Sequence, residues 1–150
     1  MSIYIDTSTF LRGFLQDSFD HAAIKELLTS AADGALTSSE LLWLEADRAV
    51  VRLSHERHDF APLAQDVKDA LGHVTMIPLR RSTIHAARRI PQVIKSLDAL
   101  HIAAAESLGD LLDCVVTYDG TMMAVLGQRG VKAVTASELL AQQALDLSEA

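Results

Sequence analysis

The stretch Cys114-Val-Val-Thr-Tyr-Asp119 has the form of a buried strand that is followed by a carboxylate. A short run of apolar and β-branched residues is typical of a strand covered on both faces. The stretch Ser2-Ile-Tyr-Ile-Asp6 repeats this arrangement near the start of the chain. Because parallel strands end at the same edge of a sheet, we expect Asp6 and Asp119 to converge there.

Strands and helices alternate between these two stretches. Apolar residues at helical spacing, with Gly34, Gly72 and Gly109 as stops, predict helices over residues 19–33, 38–55, 61–71, 82–90 and 96–108. Further helices are predicted over 120–129 and from Ser137, and further strands over 35–36, 74–77 and 132–134. The alternation predicts an α/β sandwich with a mainly parallel central sheet flanked by helices.

The composition is that of one globular domain spanning residues 1–150, with 49% hydrophobic and 22% charged residues. The single cysteine, Cys114, cannot form an internal disulfide, and its apolar neighbours predict a packing role. No apolar run is long enough to cross a bilayer, and Asp6 and Arg12 interrupt the region where a signal peptide would lie. We therefore expect a cytoplasmic protein with no membrane association.

The formal net charge of -7 argues against binding nucleic acid through a broad positive field. Any contact with nucleic acid must use bound cations and local basic residues, of which the clearest are Arg80, Arg81, Arg88, Arg89 and Lys95. Arg81, His85 and Arg88 fall on one face of a predicted helix. A solvated face, or a face that docks an acidic partner, explains such residues equally well.

Asp98 is a third candidate acid, in the segment Ser96-Leu-Asp-Ala-Leu-His-Ile-Ala-Ala-Ala105. Ile102 and Ala105 lie on the same helix face, so the carboxylate is expected to meet apolar surroundings. A buried carboxylate needs a metal, hydrogen-bond donors or a basic partner. The alternative is an acid in the first helical turn, favoured by the helix dipole with Ser96 as the cap.

A fourth acid, Glu45, lies at the border between the apolar and the basic arc of its predicted helix, from which it can reach the rim of a pocket. Glu40 falls on the polar arc, where Thr37-x-x-Glu40 has the pattern of a capping box. Glu40 is therefore the weaker candidate for the site.

Carboxylates brought together repel one another unless a cation compensates, and such hard oxygen ligands suit magnesium or manganese. For Asp6 or Asp119 taken alone, a helix cap is an adequate explanation. The sequence offers no nucleophile-elbow motif, no glycine-rich phosphate loop and no zinc-ligand spacing. Metal-assisted hydrolysis needs none of these, because divalent ions held by carboxylates activate the attacking water and stabilise the leaving oxygen.

Four segments, in this order and spacing, resemble the PIN-domain ribonucleases, in particular the VapC-like toxins of bacterial toxin/antitoxin pairs. They are Tyr4-Ile-Asp-Thr-Ser8, Ser38-Ser-Glu-Leu-Leu-Trp-Leu-Glu-Ala-Asp-Arg-Ala49, Ser96-Leu-Asp-Ala-Leu-His-Ile-Ala103, and Thr117-Tyr-Asp-Gly120 with Leu126-Gly-Gln-Arg-Gly130. The resemblance spans nearly the whole chain and implies a PIN-like three-layer sandwich. Gly120 departs from it, because many relatives have a basic residue there.

The resemblance also implies roles for the residues of the site. Asp6 and Asp98 would be the main metal ligands, Glu45 an acid beside the metal and Asp119 the fourth acid. Hydroxyl groups would orient these carboxylates or contact phosphate, namely those of Thr7, Ser8 and Thr117. Thr7 and other hydroxyl residues after a strand are also common helix caps.

The activity implied is that of a magnesium-dependent endoribonuclease, with manganese as a substitute, acting on single-stranded or loop RNA. The implied partner is a small antitoxin whose helix lies in a groove near the active site. Residues 38–71 are the candidate groove, with Trp43 or Phe60 either as anchors or as core residues. The resemblance also implies a homodimer or a toxin/antitoxin hetero-oligomer.

Two alternatives keep the predicted acids but change the function. One is a degenerate PIN module that binds RNA or protein without catalysis, which would require a lost acid. The other is a magnesium-binding phospho-acceptor of the receiver type, with Lys132 near a late strand. That class has an acidic pair after the first strand, whereas here Asp6 is followed by Thr7.

Overall fold

The computed structural model describes residues 2–150, whose strands form one five-stranded sheet. The strands are β1 (Ser2–Ile5), β2 (Leu36–Ser39), β3 (Thr75–Ile77), β4 (Leu112–Val116) and β5 (Ala133–Val134). Their spatial order is β3-β2-β1-β4-β5, and every pair of neighbours is parallel. The prediction of a mainly parallel sheet is confirmed.

Within residues 2–150, eight helices surround this sheet: α1 (Thr7–Arg12), α2 (His21–Ser30), α3 (Leu41–Glu56), α4 (Ala64–Leu71), α5 (Arg81–Arg88), α6 (Ser96–Glu106), α7 (Gly120–Gln128) and α8 (Ala136–Glu149). Two short 3-10 turns, Ala61–Leu63 and Gly109–Leu111, precede α4 and β4. No helix in residues 2–150 combines the length and apolarity that a membrane crossing requires.

Alternate residues of β1 serve two separate hydrophobic cores. Ile3 and Ile5 pack into a core shared with side chains of α1 to α4 and α8. Tyr4 points to the other face, into a core with side chains of α6 and α7. Because strands alternate their side chains between faces, a strand that is apolar throughout is covered on both sides. The result is the predicted three-layer α/β sandwich.

The order in which strands are added to the sheet reverses between β1 and β4. From β1 the order runs outward through β2 to β3, while β4 and β5 lie on the other side. Ile5 pairs with Val116 at the carboxyl ends of the two central strands. In open parallel sheets such a switch point forms the ligand crevice. The order also differs from the 2-1-3-4-5 order of receiver domains.

The start of α3 was predicted three residues too early. Ser38 and Ser39 belong to β2, and the helix begins at Leu41. Ser38 Oγ donates to the Ile5 carbonyl (2.7 Å) and Ser39 Oγ accepts from Leu41 N (3.0 Å). The strand Leu36–Ser39 is fully buried, and the hydroxyls of Ser38 and Ser39 have backbone partners there.

Several predicted caps and packing roles are also corrected. Thr7 does not cap α1, because Asp6 does, and Ser96 is the first residue of α6, whose N-cap is Lys95. Phe60 is only 1% exposed and belongs to the core, whereas Trp43 is 48% exposed. Phe60 is therefore wrong as a candidate anchor for a partner. Cys114 is buried in β4 as predicted.

Candidate active site

Asp6 lies directly after β1, where its buried carboxylate is surrounded by hydrogen-bond donors. Its exposed fraction is 4%. Oδ1 accepts from the Thr9 backbone N–H (2.8 Å) and from Ser8 Oγ (3.1 Å). Oδ2 accepts from Thr117 Oγ1 (2.8 Å), on the far side of the sheet switch point. The N-terminus of α1 and Thr117 thus hold the Asp6 carboxyl group in one orientation.

Asp119 reaches the same edge from β4. It caps α7 through a hydrogen bond from Met122 N to Oδ1 (2.9 Å). Its own backbone N–H donates to Thr117 Oγ1 (3.2 Å), the hydroxyl that donates to Asp6. Thr117 therefore links the two strand-end acids, whose convergence was the first prediction from the sequence.

Asp98 lies half-buried in the first turn of α6. Burial raises the pKa of its carboxyl above the ordinary value, and the negative charges of Asp119 and Asp6 raise it further. The positive charge of Lys95, and that of His101 whenever its ring is protonated, acts in the opposite direction without cancelling the rise. Asp119 and Asp6 therefore lie near enough to Asp98 for their charges to oppose its ionisation.

Glu45 projects from α3 and its side chain is 25% exposed. Its Oε1 accepts from Thr7 Oγ1 (2.9 Å) and lies 2.8 Å from His101 Nε2. Burial would raise the pKa of this carboxyl, but the hydrogen bond and charge of His101, with the bond from Thr7, lower it below the ordinary value. Glu45 is thus held as a carboxylate at the border position that its helix pattern predicted.

His101 is the residue of this site whose role the sequence did not reveal. A lone histidine on an apolar helix is more often a packed residue than a catalytic one, so the pattern of α6 does not predict its contacts. Its side chain is only 3% exposed, and Nδ1 lies 2.7 Å from the Tyr4 hydroxyl while Nε2 faces Glu45. The one available signal was its position three residues after Asp98, which places both on the same face of α6.

Glu40 does not form the capping box that was predicted, because Thr37 belongs to β2. Its Oε2 accepts from the Leu79 backbone N–H (2.9 Å), after β3. Glu40 therefore fastens the loop between β3 and α5 to the start of α3. The rank of Glu40 below Glu45 as a candidate site residue stays a prediction.

Comparisons with known proteins identify the family. The family model described as "PIN domain" matches residues 3–128. The chain belongs to the PIN-domain family. It is also 30% identical over 139 residues to Ribonuclease VapC47 of Mycobacterium tuberculosis, a match covering 90% of this chain and 96% of that protein. The predicted VapC-like PIN domain is confirmed.

A solved structure agrees at the level of the fold. The crystal structure of Mycobacterium tuberculosis VapC20, described as a Sarcin-Ricin loop cleaving toxin, superposes with a TM-score of 0.60. The match covers 82% of this chain and 94% of that chain, at 19% identity. The α/β sandwich that the sequence pattern predicted therefore has the PIN fold.

The donor set of this PIN domain fits a hard divalent cation. Carboxylate and hydroxyl oxygens line the switch point, and the mutual repulsion of Asp6, Asp98 and Asp119 would be relieved by positive charge. In residues 2–150, no three Asp, Glu, His or Cys side chains are close enough to enclose an ion directly. Magnesium requires only one or two carboxylates, because it retains several of its waters.

The lowered pKa of Glu45 gives a pH-dependent test of the pair with His101. A carboxyl group whose pKa is lowered on folding stabilises the protein at pH values above its unfolded pKa, 4.5. That stabilisation is lost as the pH falls through the folded pKa. At neutral pH, we expect the free energy of unfolding of wild type to exceed that of Glu45→Gln by roughly 1–2 kcal/mol. This difference should shrink as the pH becomes acidic. Urea unfolding of both proteins across the acidic range measures this. A difference that grows as the pH falls would contradict the assignment.

Proposed function

We propose that this PIN domain is a magnesium-dependent endoribonuclease and the toxin of a toxin/antitoxin pair. The observation that carries the proposal is the convergence of Asp6 and Asp119 on the Thr117 hydroxyl at the switch point of the sheet. Asp98 lies near enough for their charges to act on it, and Glu45 is held by Thr7, which follows Asp6 directly. The similarity to VapC47, which is named a ribonuclease, supports the same reaction. None of the four acids expected from the family resemblance is missing.

The residues have distinct tasks in this proposal. Asp6 and Asp98 would be the main ligands of the cation, with Asp119 and Glu45 binding it or its waters. The bound cation would activate a water and stabilise the leaving oxygen of the phosphodiester. Thr117 and Ser8 keep the Asp6 carboxylate oriented, and Thr7 does the same for Glu45.

Single-stranded or loop RNA is the proposed substrate. Lys95 is the N-cap of α6, three residues before Asp98, so it is a candidate to bind a phosphate near the acids. Further exposed cations on and around α5 would hold the backbone at a distance from the site, namely Arg80, Arg81, Arg88 and Arg89. Their local concentration on one side offsets the overall charge of -7.

The proposed partner is a small antitoxin protein, and a homodimer or a toxin/antitoxin hetero-oligomer is the proposed assembly. On α3, the exposed side chains of Trp43 and Leu44 are candidate anchors. The cheapest test is the gene neighbourhood, where a small open reading frame with a DNA-binding amino-terminal half is expected. Its absence would weaken the toxin assignment and leave the nuclease untouched.

Removal of divalent ions should abolish RNA cleavage. With EDTA in excess, a labelled single-stranded RNA is expected to remain intact, and added Mg²⁺ or Mn²⁺ should restore the activity. Cleavage that persists in EDTA after purification of the protein to constant specific activity would contradict the proposal. RNA binding without any cleavage would instead indicate a non-catalytic PIN module.

A further inference from the structure

The hydrogen bonds of Glu45 are distributed unequally between its two oxygens. Oε1 accepts from Thr7 Oγ1 (2.9 Å) and faces His101 Nε2 (2.8 Å). These two contacts occupy Oε1, and both come from the protein side of the carboxylate. Among residues 2–150, no donor hydrogen-bonds to Oε2. Because the side chain is partly exposed, Oε2 is the oxygen available to a ligand from outside.

The protonation of His101 follows from its two neighbours. Nε2 lies against a carboxylate that is itself an acceptor, so Nε2 must carry the hydrogen. In the neutral ring Nδ1 is then an acceptor, and the Tyr4 hydroxyl at 2.7 Å is its donor. Tyr4 is fully buried, and burial raises the pKa of its hydroxyl, which therefore keeps its proton.

Packing holds this chain of contacts in place. Tyr4 and His101 meet edge to face with their ring centroids 5.9 Å apart. Tyr4 belongs to the central strand β1, and His101 lies on α6 between Asp98 and the buried Ile102. No buried side-chain N or O atom in residues 2–150 lacks a hydrogen-bond partner. A satisfied buried network of this kind fixes one geometry rather than several.

We propose that Tyr4 and His101 are positioning residues that occupy Oε1 of Glu45 and leave Oε2 to bind the catalytic cation or one of its waters. The Tyr4 hydroxyl fixes the tautomer of His101, and His101 fixes the rotation of the Glu45 carboxylate. The inference rests on the proposed metal-dependent nuclease and adds two residues to it. Neither of them contacts the cation or the RNA.

The tautomer of His101 can be measured without RNA or metal. In protein labelled with ¹⁵N at histidine, long-range ¹H–¹⁵N correlation is expected to show that Nε2 of His101 carries a hydrogen. Tyr4→Phe should shift the Nδ1 resonance of His101, because that nitrogen loses its partner. A ring with its hydrogen on Nδ1 alone in wild type would overturn the proposal, because Nε2 would then have nothing to donate to Glu45.

The effect on the cation can be measured by titrating the whole protein with Mn²⁺ and following the free ion by electron paramagnetic resonance. His101→Ala is expected to weaken Mn²⁺ binding about 10–100-fold, the usual cost of removing a group that orients a ligand. His101→Gln should recover most of the affinity, because its amide N–H can donate to Glu45. The exposed His58, changed to Ala, is the matched control and should have no effect.

Kinetics separate positioning from general damage to the fold. His101→Ala should lower kcat for RNA cleavage and leave KM for RNA unchanged, and Tyr4→Phe should do so to a smaller extent. Equal losses of kcat in His101→Ala and His101→Gln, with both variants folded, would overturn the proposal.

Failure of this inference can be distinguished from failure of the proposed function. A wild-type protein that binds Mn²⁺ without cleaving RNA would refute the proposed function alone, because the His101 tautomer and the Mn²⁺ affinities of the variants would still test this inference. A wild-type protein that binds no Mn²⁺ would overturn both.

Discussion

Asp98→Asn is expected to reduce RNA cleavage by at least roughly 10²–10³-fold, the cost of removing one preorganised charged group from an active site. The same change should leave the fold intact. Asp98 lies half-exposed in the first turn of α6, and its carboxylate receives no stabilising hydrogen bond from residues 2–150. Asn has nearly the same shape, so packing is preserved while the charge is lost.

The stability of Asp98→Asn should change in the opposite direction from its activity. Because the folded pKa of Asp98 is raised above 3.8, its contribution to stability is fully present below that value and is lost as pH rises through the folded pKa. At neutral pH, without divalent ions, removal of the charge should stabilise the protein by roughly 0.5 kcal/mol, allowing for solvent screening, or about 1–2 °C in Tm.

Thermal unfolding with and without Mg²⁺ provides the measurement for Asp98. Mg²⁺ at one hundred times its Kd should raise the free energy of unfolding of wild type by up to about 2.7 kcal/mol. The increase for Asp98→Asn should be much smaller. Asp146→Asn, on the exposed last turns of α8, is the control and should match wild type in every assay. A folded Asp98→Asn protein that cleaves RNA at the wild-type rate would remove this residue from the mechanism.

Asp6→Ala should abolish cleavage to a similar extent and also destabilise the fold, by about 2–4 kcal/mol. The change removes the cap of α1 and leaves the buried Thr9 N–H and Thr117 hydroxyl without their acceptor. Asp6 is thus both a candidate ligand and a structural residue.

Asp6→Asn separates these two roles, because the amide retains one acceptor oxygen and most of the shape. It should remain nearly as inactive as Asp6→Ala while recovering much of the lost stability. Denaturant unfolding and RNA cleavage of the two variants, measured in parallel, test this. An Asp6→Asn protein as unstable as Asp6→Ala would show that the hydrogen-bond pattern around Asp6 has been assigned incorrectly.

The positions of Asp6 and Asp119 could be predicted because each follows a short apolar strand, and the ends of parallel strands share an edge by rule. Asp98 could be predicted from a local pattern as well, because it shares a helix face with Ile102 and Ala105. The roles of the three aspartates as ligands remain predictions. The short strand β2 was harder to recognise, because Leu36–Ser39 has only one apolar residue, and the buried hydroxyls of Ser38 and Ser39 bond to backbone.

The contacts of His101 could not be predicted for a different reason. Its partners, Tyr4 and Glu45, are 97 and 56 residues away in the chain. They meet only after α3 and α6 have packed around the carboxyl end of β1. No local pattern of apolar and polar residues encodes which side chains face each other across such distances, so a buried polar network requires the three-dimensional structure.

The pairing of β1 with β4 also affects when during synthesis the site can form. Asp6 leaves the ribosome about a hundred residues before Asp98 and Asp119. Since β4 completes the crevice next to β1, a nascent chain holds only one of the three aspartates until α6 has been translated. A copy terminated before β4 therefore lacks two strand-end partners of the crevice, and we expect any activity that depends on the three aspartates to begin only after Asp119 has been synthesised.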